Sequence, residues 1–130
     1  MENYSLVDVL EAISDGKSLE IFKEIAKGTV ESEILKQKVG ITKKQYYMRT
    51  RQFLNTGLVS RVKGKFSLTN FGVIIYHAQL IMEAGVNNYW KLKAIDSIQD
   101  SGQIGEHERL KLVKTILNDD VIENILVRQN

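Results

Sequence analysis

The chain has 130 residues, one domain's worth by length, and its 43% apolar residues suffice to close a hydrophobic core. With 26% charged residues and no apolar run near the ~20 residues of a membrane span, a folded soluble protein is expected. Cysteine is absent and His77 and His107 are the two histidines, which excludes disulfides, thiol catalysis and the usual zinc sites, so no cofactor or metal is expected. The net charge of +2 is unevenly distributed. Residues 1–33 hold eight acids and three bases, residues 34–82 nine bases and no acid, and residues 83–130 eight acids and six bases. So long a single-signed stretch reads as a surface built to meet an anion rather than as a solvated face.

From the amino terminus, Glu2 and Asp8 stand where a targeting peptide would be basic, so a cytoplasmic location is expected. Leu6, Val7, Val9, Leu10 and Ile13 predict a first helix ending at Asp15-Gly16. Ser18 is the expected cap of a second, with Leu19, Phe22, Ile25 and Ala26 as its stripe and Gly28 as its stop. Thr29 is expected to open a third helix, with the stripe Val30, Ile34, Leu35 and Val39, closed by Gly40. Lys36 and Lys38 near its end complement the helix dipole. Thr42-Lys43-Lys44-Gln45 is a capping box that starts a fourth helix, which runs to Thr56. Two helices joined by a short turn containing Gly40 form a helix-turn-helix signature. Leu58 to Val62 and Lys65 to Thr69 predict a hairpin around Lys63-Gly64.

Thr69 or Asn70 is expected to cap a fifth helix that is apolar almost all round, and a second copy of the chain is its expected cover. The residues expected at that interface are Phe71, Ile74, Ile75, Ala78, Ile81 and Met82, joined by Tyr89 and Trp90 of a sixth helix. One or two further helices follow, and Asp119-Asp120 reads as a helix start rather than a catalytic carboxylate pair. The expected organisation is a winged helix-turn-helix over residues 1–72, with a recognition helix at 43–56 and a wing at 58–69, and a helical extension over residues 73–130.

On a wheel of about 100° per residue, Tyr46, Thr50, Phe53 and Gly57 share the inward side of the fourth helix. Lys44, Gln45, Tyr47, Met48, Arg51, Gln52 and Asn55 then face outward, a set of donors and acceptors suited to base edges in a major groove, and Lys43 and Lys44 suit phosphates. Arg49 flanks the core, with its head expected on an acid of an earlier helix, on a phosphate or on a base. Met48 is either a gap-filling apolar residue or a contact to a thymine methyl. In the wing, Arg61, Lys63 and Lys65 surround the Lys63-Gly64 tip and suit the backbone or minor groove, or protect an edge strand.

The stretch Thr29 to Gly72, with Val39-Gly40-Ile41-Thr42, Gly57-Leu58-Val59 and Leu68-Thr69-Asn70-Phe71-Gly72, resembles the winged helix-turn-helix domain of prokaryotic regulators of the ArsR and MarR kind. Lys43-Lys44-Gln45-Tyr46-Tyr47 and the run Asn87 to Asp96 resemble small archaeal winged-helix proteins regarded as transcriptional regulators. The resemblance implies a homodimer whose recognition helices enter successive major grooves. Thr50 departs from it, since the family usually has leucine there, and the cysteine or histidine cluster of metal-sensing members is absent.

The expected function is sequence-specific double-stranded DNA binding by a dimeric, nucleoid-associated regulator. The alternatives are a winged-helix protein-interaction module and a non-specific architectural DNA coat. No catalytic constellation is present, so an enzyme is not expected. Tyr76, Tyr89 and Trp90 could line a small-molecule effector pocket, with core or dimer packing the preferred reading. His77 is expected in the interior or an interface, and His107 on the surface.

Overall fold

A capping box opens the first helix. The Ser5 hydroxyl accepts from the Asp8 amide at 3.1 Å, and the Asp8 carboxylate accepts from the Ser5 amide at 3.1 Å. The computed structural model describes residues 5–28 and 30–128. The elements run α1 (Leu6–Ala12), α2 (Gly16–Ala26), β1 (Val30–Glu31), α3 (Ser32–Val39), α4 (Lys43–Asn55), β2 (Val59–Val62), β3 (Lys65–Leu68), α5 (Asn70–Asn87), α6 (Tyr89–Asp100), α7 (Glu106–Leu117) and α8 (Asp120–Arg128). The fold is a winged helix-turn-helix followed by helices. The chain forms two compact units, the first ending at Tyr76 and the second beginning at His77, inside α5.

Several elements depart from the expected pattern. Asp15, not Ser18, caps α2, accepting from the Ser18 amide at 2.9 Å while the Ser18 hydroxyl donates to its carboxylate at 2.8 Å. The expected opening of the third helix at Thr29 falls outside the described residues. Val30 and Glu31 form a strand antiparallel to β3, Val30 opposite Phe66, so the hairpin becomes a three-stranded sheet of order β1-β3-β2. α3 starts only at Ser32; it buries Leu35 and Val39 and leaves Ile34 58% exposed. In α1, Val9 and Ala12 are buried, whereas Leu6, Val7 and Leu10 are exposed. α5 runs unbroken through Gly85 to Asn87, although a glycine and the following Asn87-Asn88 would suggest an earlier break.

The core of the first unit gathers around Phe22, whose ring lies 5.9 Å from that of Phe53 and 6.2 Å, edge-on, from that of Tyr76. Ile21, Ile25, Leu35, Val39, Tyr46, Leu58 and Phe66 close around them. Each such large apolar side chain contributes about 1.5–3 kcal/mol when fully buried. Thr69 ties the wing to α5. Its hydroxyl donates to the Gly57 carbonyl and accepts from the Gly72 amide at 2.9 Å, so Thr69 rather than Asn70 caps the helix. Gly72 is required by this close approach, since a Cβ there would overlap the Leu58 carbonyl.

In the second unit, Ile95, Val113, Leu117 and Ile122 form a separate core. Asn118, at φ 48°, ends α7 in the left-handed region, and Asp119 then accepts from the amides of Val121 and Ile122 at 3.1 and 3.3 Å. Asp119 is therefore a helix-starting residue.

Candidate nucleic-acid interface

The turn between α3 and α4 rests on two local features. Gly40 takes φ 70° and ψ 47°, a left-handed exit that a side chain would disfavour. Thr42 and Gln45 then cap each other, the Thr42 hydroxyl accepting from the Gln45 amide at 3.2 Å and the Gln45 side chain from the Thr42 amide at 3.1 Å. α4 thereby enters against the core with Tyr46, Thr50 and Phe53 buried. The Thr50 hydroxyl donates to the Tyr46 carbonyl at 3.0 Å, so a threonine is accommodated here without an unsatisfied polar group. Burial raises the Tyr46 phenol above its ordinary value.

Lys43, Lys44, Gln45, Tyr47, Met48, Arg51, Gln52 and Asn55 are all exposed on the opposite side of α4. Arg49 behaves differently. Its side chain is only 22% exposed and its guanidinium lies 3.3 Å from the carboxylate of Asp15, the cap of α2. The acid of an earlier helix is therefore its partner. The hydrogen bond from the Ser18 amide holds the Asp15 carboxyl below its ordinary value against a smaller opposing effect of burial, and the Ser18 hydroxyl and Arg49 lower it further.

The wing turns on two residues of positive φ, Lys63 at 53° and Gly64 at 77°, the requirement of a type I′ hairpin. Val62 pairs with Lys65 and Arg61 with Phe66. The Arg61 guanidinium lies 5.5 Å from the centre of the buried Phe66 ring, which orients it beside the wing. Lys43 similarly sits 5.9 Å from the Tyr47 ring centre.

Ion pairing divides the nine cations of residues 34–82. Lys36 meets Glu33 at 3.1 Å, Lys38 meets Glu24 at 2.9 Å and Arg49 meets Asp15. Lys43, Lys44, Arg51, Arg61, Lys63 and Lys65 pair with no acid among the described residues, and all six are exposed. They belong to α4 and the wing. Between these elements lies a concavity of about 530 Å³ lined by Lys44, Tyr47, Met48, Thr50, Arg51, Leu54, Arg61 and Phe66. Leu54, 37% exposed, was not expected there. Its signal in the sequence is its position seven residues after Tyr47 and three after Arg51, on the same helical face.

The residues expected at a subunit interface are distributed unevenly. Phe71 and Ile74 in the first unit, and Ala78, Ile81 and Met82 in the second, recur at helical steps of three and four residues and are exposed. Ile75 instead is partly buried against the first core, as is Tyr76. Tyr89 and Trp90 pack edge-on at 5.1 Å, yet are 51% and 77% exposed. These two rings are therefore not core residues of their own chain. His77 and His107 are both exposed, so His77 is not an interior residue of the single chain.

No protein-family model matches the chain, and no curated protein matches it significantly. Among solved structures, that of NolR from Sinorhizobium fredii is similar to it, with 20% identity over 62% of this chain and 93% of that one, at a TM-score of 0.49.

Proposed function

We propose that this chain is a dimeric transcriptional regulator that binds double-stranded DNA in a sequence-specific manner, with α4 in the major groove and the wing on the backbone or minor groove. The observation that carries this reading is the separation of the cations. Lys36, Lys38 and Arg49 are neutralised by Glu33, Glu24 and Asp15, while the six cations without an acidic partner among the described residues lie on the α4 face and the wing. Lys43 and Lys44 meet phosphates at the helix start; Gln45, Tyr47, Arg51, Gln52 and Asn55 reach base edges; Arg61, Lys63 and Lys65 follow the backbone. The exposed stripe of α5, with Tyr89 and Trp90, is covered by a second copy of the chain, and two α4 helices then read two half-sites.

Fluorescence anisotropy with mixed-sequence duplex between about 50 and 200 mM salt tests this reading, each phosphate contact contributing a slope of about −0.9. Six contacts per protomer would give a slope near −5 for each half-site. Replacing Lys63 and Lys65 by alanine is expected to reduce the slope by about two, and replacing Lys44 and Arg51 to remove discrimination among sequences. Absence of binding at the lowest salt would overturn the proposal and leave protein interaction as the use of this face.

A further inference from the structure

The concavity between α4 and the wing has the wrong lining for a surface that only meets phosphates. Tyr47, Met48 and Leu54 are 50%, 62% and 37% exposed, and Phe66 closes the floor. Apolar side chains gathered in one concavity and rimmed by charged groups are the pattern of an interaction site, whereas singly exposed ones are not. Met48 cannot be a gap-filling core residue, because most of its surface is open to solvent. Around this apolar lining stand Lys44, Arg51 and Arg61, with no acid among the lining residues. The occupant must therefore present apolar groups while carrying negative charge alongside them.

In a major groove, the one apolar feature on a base edge is the 5-methyl group of thymine, and phosphates flank it on both sides. We infer that this concavity reads the methyl groups of adjacent thymines. Met48, Tyr47 and Leu54 cover the methyls while Lys44, Arg51 and Arg61 meet the flanking phosphates or guanine edges. The inference rests on the duplex-binding reading given above and specifies its sequence preference. Tyr47 and Leu54 stand seven residues apart on α4, about 10 Å along the helix, so the apolar lining spans more than one base step and fits a short run of thymines rather than a single one. The charge complementarity and the continuity with the acid-free face of α4 argue for the duplex as occupant.

The test begins with duplexes selected by the intact protein from a random-sequence pool at low salt. The expected half-site contains adjacent thymines at fixed positions. Resynthesis with deoxyuridine removes only the methyls and is expected to weaken binding about fourfold per methyl, the factor equivalent to ~0.8 kcal/mol for one buried CH₂-sized group. The salt slope should not change, because no phosphate contact is lost. In Met48→Ala the deoxyuridine penalty should shrink, and the exposure of Met48 makes this variant safe for folding, which circular dichroism checks. Equal affinity for the two duplexes, or selection without a fixed thymine step, would overturn the inference while leaving duplex binding intact. Failure to bind any duplex would overturn the duplex reading and this one with it.

Discussion

Lys63 occupies a backbone conformation that its side chain disfavours. A residue with a Cβ in the left-handed region costs about 1–2 kcal/mol, and type I′ turns favour Asn or Gly at this place for that reason. The φ of 53° at Lys63 therefore stores strain at the point where the wing carries its outermost charge. Strain of this kind persists where the residue serves a purpose other than stability. Lys63→Asn is accordingly expected to raise the stability of the first unit by about 0.5–1 kcal/mol, read from the urea midpoint, because Asn tolerates the same conformation. It should also weaken duplex binding and lower the salt slope by about one. Unchanged stability would show an unstrained turn, and unchanged affinity would remove Lys63 from the contact.

Between elements, the pair Asp15 and Arg49 joins the start of α2 to the middle of α4. The Asp15 carboxyl titrates below its ordinary value near 3.8. A depressed carboxyl contributes stability that is present above its unfolded value of about 3.9 and is lost as pH falls through the lower folded value. Thermal unfolding followed between about pH 2 and 7 should therefore show an acid limb starting near pH 4. Asp15→Asn keeps a capping side chain but removes the charge, so it should flatten that limb and cost no more than about 1 kcal/mol at neutral pH. An acid limb unchanged in this variant would assign it to other carboxylates.

The elements legible in the sequence are those whose signals are local. Thr42 and Gln45, Gly40, and the Lys63-Gly64 turn each satisfy a backbone requirement within a few residues, and the structure has them in those roles. The β1 strand was not legible, because Val30 and Glu31 are extended through pairing with β3, some 35 residues away, and two residues carry no periodicity. Ser18 competes with Asp15 as a cap at a spacing of three, and the helix takes the residue that leaves Ser18 buried. Periodicity revealed the apolar sides of α1 and α5 but not which of them the chain itself covers. Hence Leu6 and Ile74 are open while Ile75 is packed. In the candidate site the outward face of α4 was readable from the spacing of Tyr46, Thr50 and Phe53, which are the residues the helix buries. The salt bridges that separate Arg49, Lys36 and Lys38 from the other cations were not, since two of the three join different elements.

For the whole molecule, the exposed apolar stripe of α5 sets the expected assembly. Ile81 is 40% exposed, so Ile81→Glu leaves the chain's own cores intact. An unpaired charge forced into an interface costs several kcal/mol, and the variant is expected to weaken dimerisation by more than about a hundredfold. Sedimentation velocity of the folded variant checks this, and a dimer of undiminished affinity would remove Ile81 from the interface. The pairing of Arg49, Lys38 and Lys36 has a further consequence, for rates. By leaving the unpaired cations of residues 34–82 on α4 and the wing, it concentrates positive potential on that face of the first unit. A polyanion approaching such a body turns it before touching it, and steering of this kind accelerates encounter by about 10- to 1,000-fold at low salt. Added salt slows arrival more than it hastens departure, because departure depends on contacts already formed at short range.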